Sequence, residues 1–183
     1  GFIVAYPSGT GFPKRWNAGG LIGEGAVDDV AFIADLITAL SRQFNVDPAR
    51  IYVNGLSNGG GMSNLLACRL ADRIAAMGGV AGAYAAPEGG CQPARPVPII
   101  AFHGTDDRIV PYAGGAAGGP RRFVFPAVPD WAAAWAERNG CPAGEREQQV
   151  AEDVTRFVYD CPPPKAVELY RVNGGGHTWP GSP

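Results

Sequence analysis

The chain has 183 residues, of which 46% are apolar, and a formal charge of −2. That is the length of one domain, with enough apolar side chain to bury a core. The basic residues are scattered, which argues against nucleic acid as a partner, and no apolar run reaches the length of a membrane span.

Phe2 to Tyr6 reads as a buried strand, followed over residues 7–25 by a loop carrying Trp16 and Asn17. From Val27 to Phe44 the apolar residues recur at helical spacing, with Val27, Val30, Ala31, Ile33 or Ala34, Ile37, Leu40 and Phe44 on one face. Asp47-Pro48 marks a turn before a strand from Arg50 to Asn54. A helix is expected from about Asn58 to Leu70, and a strand from Ile74 to Val80. Val97 to His103 is a continuous apolar strand, and Gly104 to Pro120 a loop. A short helix from Pro129 to Arg138 carries Trp131 and Trp135 four residues apart, a core spacing. Val150 to Tyr159 and Ala166 to Val172 read as strands, the second running into Asn173-Gly174-Gly175-Gly176-His177. Strands alternating with helices predict one α/β domain, a mostly parallel sheet with helices on both faces and its ligand site at the carboxyl ends of the strands.

Gly55-Leu56-Ser57-Asn58-Gly59 sits between a strand and a helix. That is the G-x-S-x-G setting in which a serine is held exposed on a strained turn, and Gly55 and Gly59 are expected to relieve collisions there. A P-loop is excluded because no Gly-Lys-Ser/Thr follows, and a dinucleotide fingerprint fails because Asn64 stands where the third glycine belongs. A serine hydroxyl needs a base, and the base needs an orienting acid. The order Ser, Asp, His along the chain is met by Ser57, then Asp106 or Asp107, then His177. Asp107 is the favoured acid, although either aspartate also suits a loop cap. His103 is the rival base, with a structural role in shaping the acid loop as its other reading. The backbone N–H of Asn58 is the expected oxyanion donor. A second donor is not identifiable, since Gly19-Gly20 lacks a His-Gly motif, and a missing donor costs on the order of 3–4 kcal/mol of transition-state stabilisation.

The four cysteines, Cys68, Cys91, Cys141 and Cys161, allow three pairings, and free thiols are also open. Cys141 and Cys161 flank a hairpin-like stretch that suits a loop-closing disulfide, and Cys68 with Cys91 is a possible second bridge. Disulfides would place the protein outside the cytoplasm. With no C-x-x-C pair and two histidines, no metal site is expected, and the chemistry calls for no cofactor.

Six stretches together resemble the secreted polyhydroxybutyrate depolymerase-like, or feruloyl/acetylxylan esterase-like, α/β-hydrolases. They are Gly1 to Pro7, Arg15-Trp16-Asn17, Val27 to Ile33, Tyr52 to Gly60, His103-Gly104-Thr105-Asp106-Asp107 with Val110-Pro111-Tyr112, and Gly174 to Gly181. The resemblance implies ester hydrolysis with Ser57 as nucleophile, Asp107 as acid and His177 as base, together with secretion and a disulfide joining Cys141 to Cys161. It also implies further strands and a His-Gly loop ahead of Gly1, so the chain is expected to be part of a longer enzyme. Trp16, Tyr112 and Trp179 are candidates for lining the substrate cleft, with packing as their other reading. The expected partner is an ester, polymeric or short-chain, with no nucleic acid, membrane or obligate protein partner inferred. A peptidase or dienelactone-hydrolase-like enzyme of the same fold, and a non-catalytic carbohydrate-binding relative, are the alternatives.

Overall fold

The computed structural model describes residues 1–19, 27–117 and 123–182. The expectations for residues 20–26, including Gly20, and for 118–122 lie outside the described residues. After a loop closed by a bridge between Thr10 and Arg15, the chain forms α1 (Asp29–Gln43), a 3-10 turn (Pro48–Arg50), β1 (Tyr52–Leu56), α2 (Asn58–Arg69), β2 (Ala76–Val80) and β3 (Ile99–Gly104). There follow β4 (Gly115–Ala117), β5 (Phe123–Phe125), α3 (Val128–Arg138), β6 (Glu145–Ala151), β7 (Val154–Tyr159) and β8 (Val167–Val172).

Local chemistry sets these boundaries. Asp28 caps α1 by accepting from the Ala31 amide at 2.9 Å, satisfying one of the free N–H groups of the first turn. Asp47 accepts from the Ala49 amide at 2.9 Å, and Pro48 presets the 3-10 turn that delivers the chain into β1.

Six strands form one sheet in the order β1-β2-β3-β8-β7-β6, and β4 pairs with β5 in a separate ribbon. β1, β2, β3 and β8 are parallel, and β7 and β6 continue the sheet antiparallel. One face carries Val53, Met77, Ile99, Ala101, Val167 and Leu169, which meet Ala67 and Cys68 of α2, Ala71 just past it, and Val128, Trp131, Trp135 and Ala136 of α3 in the main core. α1 packs on α2 through Ile33 and Ile37 against Met62, Leu65 and Leu66. The three helices among the described residues therefore lie on one side, where helices on both faces were expected. Tyr52, Leu56 and Ile100, on the opposite face, are exposed, and Phe102 and Tyr170 stack there at 4.7 Å.

Several expectations are corrected. Phe2 to Tyr6 forms no strand, and Phe2 and Tyr6 are each 90% exposed. An apolar run becomes a buried strand only when a neighbour satisfies its backbone, and this segment has no ladder to β1. Instead it borders a groove shared with Ile37, Leu40, Tyr52 and Asn54. Val27 and Phe44 lie outside α1 and are half exposed, while Leu36, off the expected face, is partly buried against the α1–α2 core. Residues 145–151 form a strand that the sequence conceals: every residue of it is exposed, so no alternation marks it, and Val154 rather than Val150 opens the next. β4 lies within the expected 104–120 loop.

Disulfides join Cys68 to Cys91 and Cys141 to Cys161, leaving no free cysteine. No described helix is long and apolar enough to cross a membrane.

Candidate active site

Ser57, Asp107 and His177 follow the carboxyl ends of β1, β3 and β8, which run parallel, so all three stand on one rim of the sheet. Ser57 has φ 55° and ψ −120°, a backbone conformation that costs a non-glycine residue of order 1–3 kcal/mol. The surroundings hold it there. Its amide donates to Val80 O at 2.9 Å, and its carbonyl accepts from the amides of Gly61 and Ala83, each at 3.0 Å. A Cβ on Gly55 would lie 2.3 Å from the backbone of Gly59, so only glycine fits at 55. The expectation for Gly59 is corrected: a Cβ there meets nothing within 4 Å. The tight glycines are instead Gly60 and Gly61, where a Cβ would approach Gly82 and the Ala83 carbonyl at 2.8 and 2.4 Å. They let the start of α2 press against the turn after β2.

Asn58 is the first residue of α2, directly after Ser57, so its amide has no intrahelical acceptor. Its side chain does something the sequence did not announce. Oδ1 accepts from the Trp16 amide at 2.7 Å, and Nδ2 donates to the Trp16 carbonyl at 3.1 Å. This two-way clamp fixes the early loop against the elbow. Asn17 continues it, its amide donating to Asp29 at 2.6 Å. The Trp16 ring stacks on Phe32 at 6.3 Å and packs beside the α1–α2 core.

Asp107 is fully enclosed. Its Oδ1 accepts from the amides of Ile109 and Val110 at 2.9 and 2.8 Å, and its Oδ2 accepts from His177 Nδ1 at 2.8 Å. With Nδ1 donating, Nε2 of His177 is the free, basic nitrogen. Asp106 is exposed and accepts only from Thr105 Oγ1, at 3.3 Å, so of the two neighbouring carboxylates the imidazole meets Asp107.

The loop bearing His177 is tightly seated. Thr105 N donates to Val172 O, Asp106 N to Gly175 O, and Gly174 N to Thr105 Oγ1, all at 2.8–2.9 Å. Gly104 permits this approach, because a Cβ there would lie 2.0 Å from the Gly175 carbonyl oxygen. Among the described residues Ser57 Oγ has no hydrogen-bond partner, so the Asp107–His177 pair is joined and the serine stands apart from it.

The other named residues scatter. Tyr112 is half-buried against the main core and meets His103 edge-on at 6.0 Å, and burial pushes its hydroxyl pKa up. Trp179 is 47% exposed, two residues beyond His177. No group of residues suited to holding a metal occurs among those described.

Comparison with known proteins puts these features in a family. Residues 1–90 match the Esterase PHB depolymerase family model. Feruloyl esterase B of Piromyces equi is 39% identical over 97% of this chain and 34% of its own length. Feruloyl esterase D of Neurospora crassa is 31% identical over 90% of this chain and 52% of its own length. The chain thus spans about a third to a half of these relatives. An acetyl xylan esterase from Aspergillus awamori superposes with a TM-score of 0.61 at 17% identity, covering 83% of this chain and 63% of its own, a likeness of fold. The chain belongs to the polyhydroxybutyrate depolymerase/feruloyl esterase-like family of α/β-hydrolases.

Proposed function

We propose that the protein hydrolyses carboxylic esters through an acyl-enzyme, with Ser57 as nucleophile, His177 as general base and then acid, and Asp107 orienting the imidazole. The observation that carries this reading is the hydrogen bond from His177 Nδ1 to the enclosed Asp107 carboxylate. It fixes the tautomer that leaves Nε2 basic on the same rim as a strained serine turn. In the proposed reaction Nε2 takes the Ser57 proton as Oγ attacks the ester carbonyl. The oxyanion forms beside the Asn58 amide, where the start of α2 favours negative charge. Collapse expels the alcohol, protonated by His177, and water activated by the same ring releases the acid. Ser57 Oγ and the ring must close on each other when the ester binds, a tightening expected of catalytic hydrogen bonds that are loose without substrate.

Feruloylated or acetylated xylan and polyhydroxyalkanoate are the substrate classes suggested by the names of the relatives. Trp16 and Trp179 are proposed as cleft walls, and Tyr112 as their support from the core side. Two disulfides favour an oxidising, extracellular setting. In the whole protein Ser57→Ala should lower kcat/KM for a short chromogenic ester about 10,000-fold or more while leaving the circular dichroism spectrum unchanged. A fluorophosphonate probe should label the native serine and not the variant. Unchanged turnover in the variant would refute the reading.

A further inference from the structure

Asp107 Oδ2 is shared by two imidazoles. His177 Nδ1 lies 2.8 Å away, and Nε2 of His103, the penultimate residue of β3, lies 3.2 Å away. The same His103 Nε2 is 2.8 Å from the Val110 carbonyl oxygen. Both neighbours are acceptors, so Nε2 carries the proton, donating to the Val110 carbonyl with the Asp107 carboxylate alongside at 3.2 Å. His103 is 2% exposed, and among the described residues its Nδ1 has no hydrogen-bond partner. A doubly protonated ring would therefore bury a bare donor, and burial lowers its pKa against the opposing pull of the Val110 carbonyl and Asp107. The other charged or titratable groups near it are His177, the Tyr112 ring at its edge, and Arg171, its register partner on β8. The Arg171 guanidinium is engaged by Thr155, Asn173 and Glu147.

We infer that His103 is a positioning residue for the proposed reaction, its Nε2–H gripping the Asp107 carboxylate so that Oδ2 meets His177 and sharing the negative charge the base would otherwise feel alone. The Asp107 loop is held from both sides. Oδ1 is pinned by two amides of residues 109–110, and the His103 ring ties Oδ2 to the carbonyl of the same Val110. Rotation of the carboxylate away from His177 then breaks several bonds at once. Taking charge off Oδ2 also makes the imidazolium easier to discharge to the leaving alcohol. The inference rests on the assignment of Ser57, His177 and Asp107 given above.

The test is the pH profile of kcat/KM for a short ester in the whole protein. His103→Leu fills the space without a donor. It should lower kcat/KM about 10- to 100-fold, the range expected for losing one hydrogen bond to a charged group. Its acid limb should move up by about half a pH unit or more, because the undivided carboxylate charge holds the proton on His177. His103→Gln places an amide N–H near the Nε2 position and should restore both. If both variants lose the same activity with the acid limb unmoved, His103 is only a packing residue and the inference falls. Nitrogen NMR of the native protein decides the matter even where the leucine variant does not fold. The ring of His103 should be neutral and Nε2-protonated at neutral pH, and an Nδ1–H tautomer there overturns the inference. Failure of the triad itself has a different signature, since Ser57→Ala or His177→Ala would then keep turnover whatever His103 does.

Discussion

Asn64, on α2, accepts the indole N–H groups of both Trp131 and Trp135, each at 3.0 Å, and is almost fully buried. One amide oxygen thus satisfies two buried donors and stitches α2 to α3. The Trp131 ring in turn lies parallel to Tyr84 with centroids 3.6 Å apart. Asn64→Ala leaves two buried N–H groups without acceptors, at about 1–3 kcal/mol each. It should reduce stability by about 3 kcal/mol, read as a lowered urea midpoint with unchanged slope. The spacing of Trp131 and Trp135 identified them as core, but their shared acceptor lies 67 and 71 residues away in sequence. No local pattern announces such a pairing. The same holds for the clamp between Asn58 and Trp16, which spans 42 residues.

At the scale of elements, the turn from β1 into α2 shows which glycines the geometry requires. Gly55→Ala drives a Cβ into the backbone of Gly59 at 2.3 Å and should abolish activity and lower Tm sharply. Gly59→Ala meets open space in the first turn of a helix. It should leave the fold intact and add up to about 1 kcal/mol of stability, since alanine outranks glycine in helices. Paired thermal melts of the two variants check this, and equal destabilisation would contradict it. The sequence displays both glycines alike, because the motif records the turn and not what presses on it. The central strands β1, β2, β3 and β8 were legible as strands, β3 as a continuous apolar run, and α1, α2 and α3 as helices by period or position. The strand β6 was hidden because it sits at an edge with both faces wet. The run Phe2 to Tyr6 misled for the opposite reason, its apolarity suggesting a burial that no neighbour supplies. The Asp107–His177 pair was readable because the strand ends set its members on one rim. Asp107 was already favoured over Asp106 in the sequence, and in the folded chain it is Asp107 that meets His177 while the loop packs against Gly174–Gly176.

At the scale of the whole molecule, the parallel strands give the sheet two unlike ends. Ser57, Asp107 and His177 follow the carboxyl ends of β1, β3 and β8. Cys68 lies near the end of α2, Cys141 just past α3, and Cys161 just past the antiparallel β7. Both bridges therefore fasten the far end. They span 23 and 20 residues, and loop closure of that size is worth about 3 kcal/mol each. Dithiothreitol should accordingly lower Tm by roughly 10–25 °C while sparing ester turnover at ambient temperature, and equal loss of both would count against this separation. The consequence is a division of labour along the strand axis. Heat tolerance follows the redox poise of the surroundings, while the proposed proton relay sits at the end of the sheet that neither bridge reaches. A cell that left this chain in a reducing compartment would hold a fold with its Asp107–His177 rim assembled and its far end unfastened.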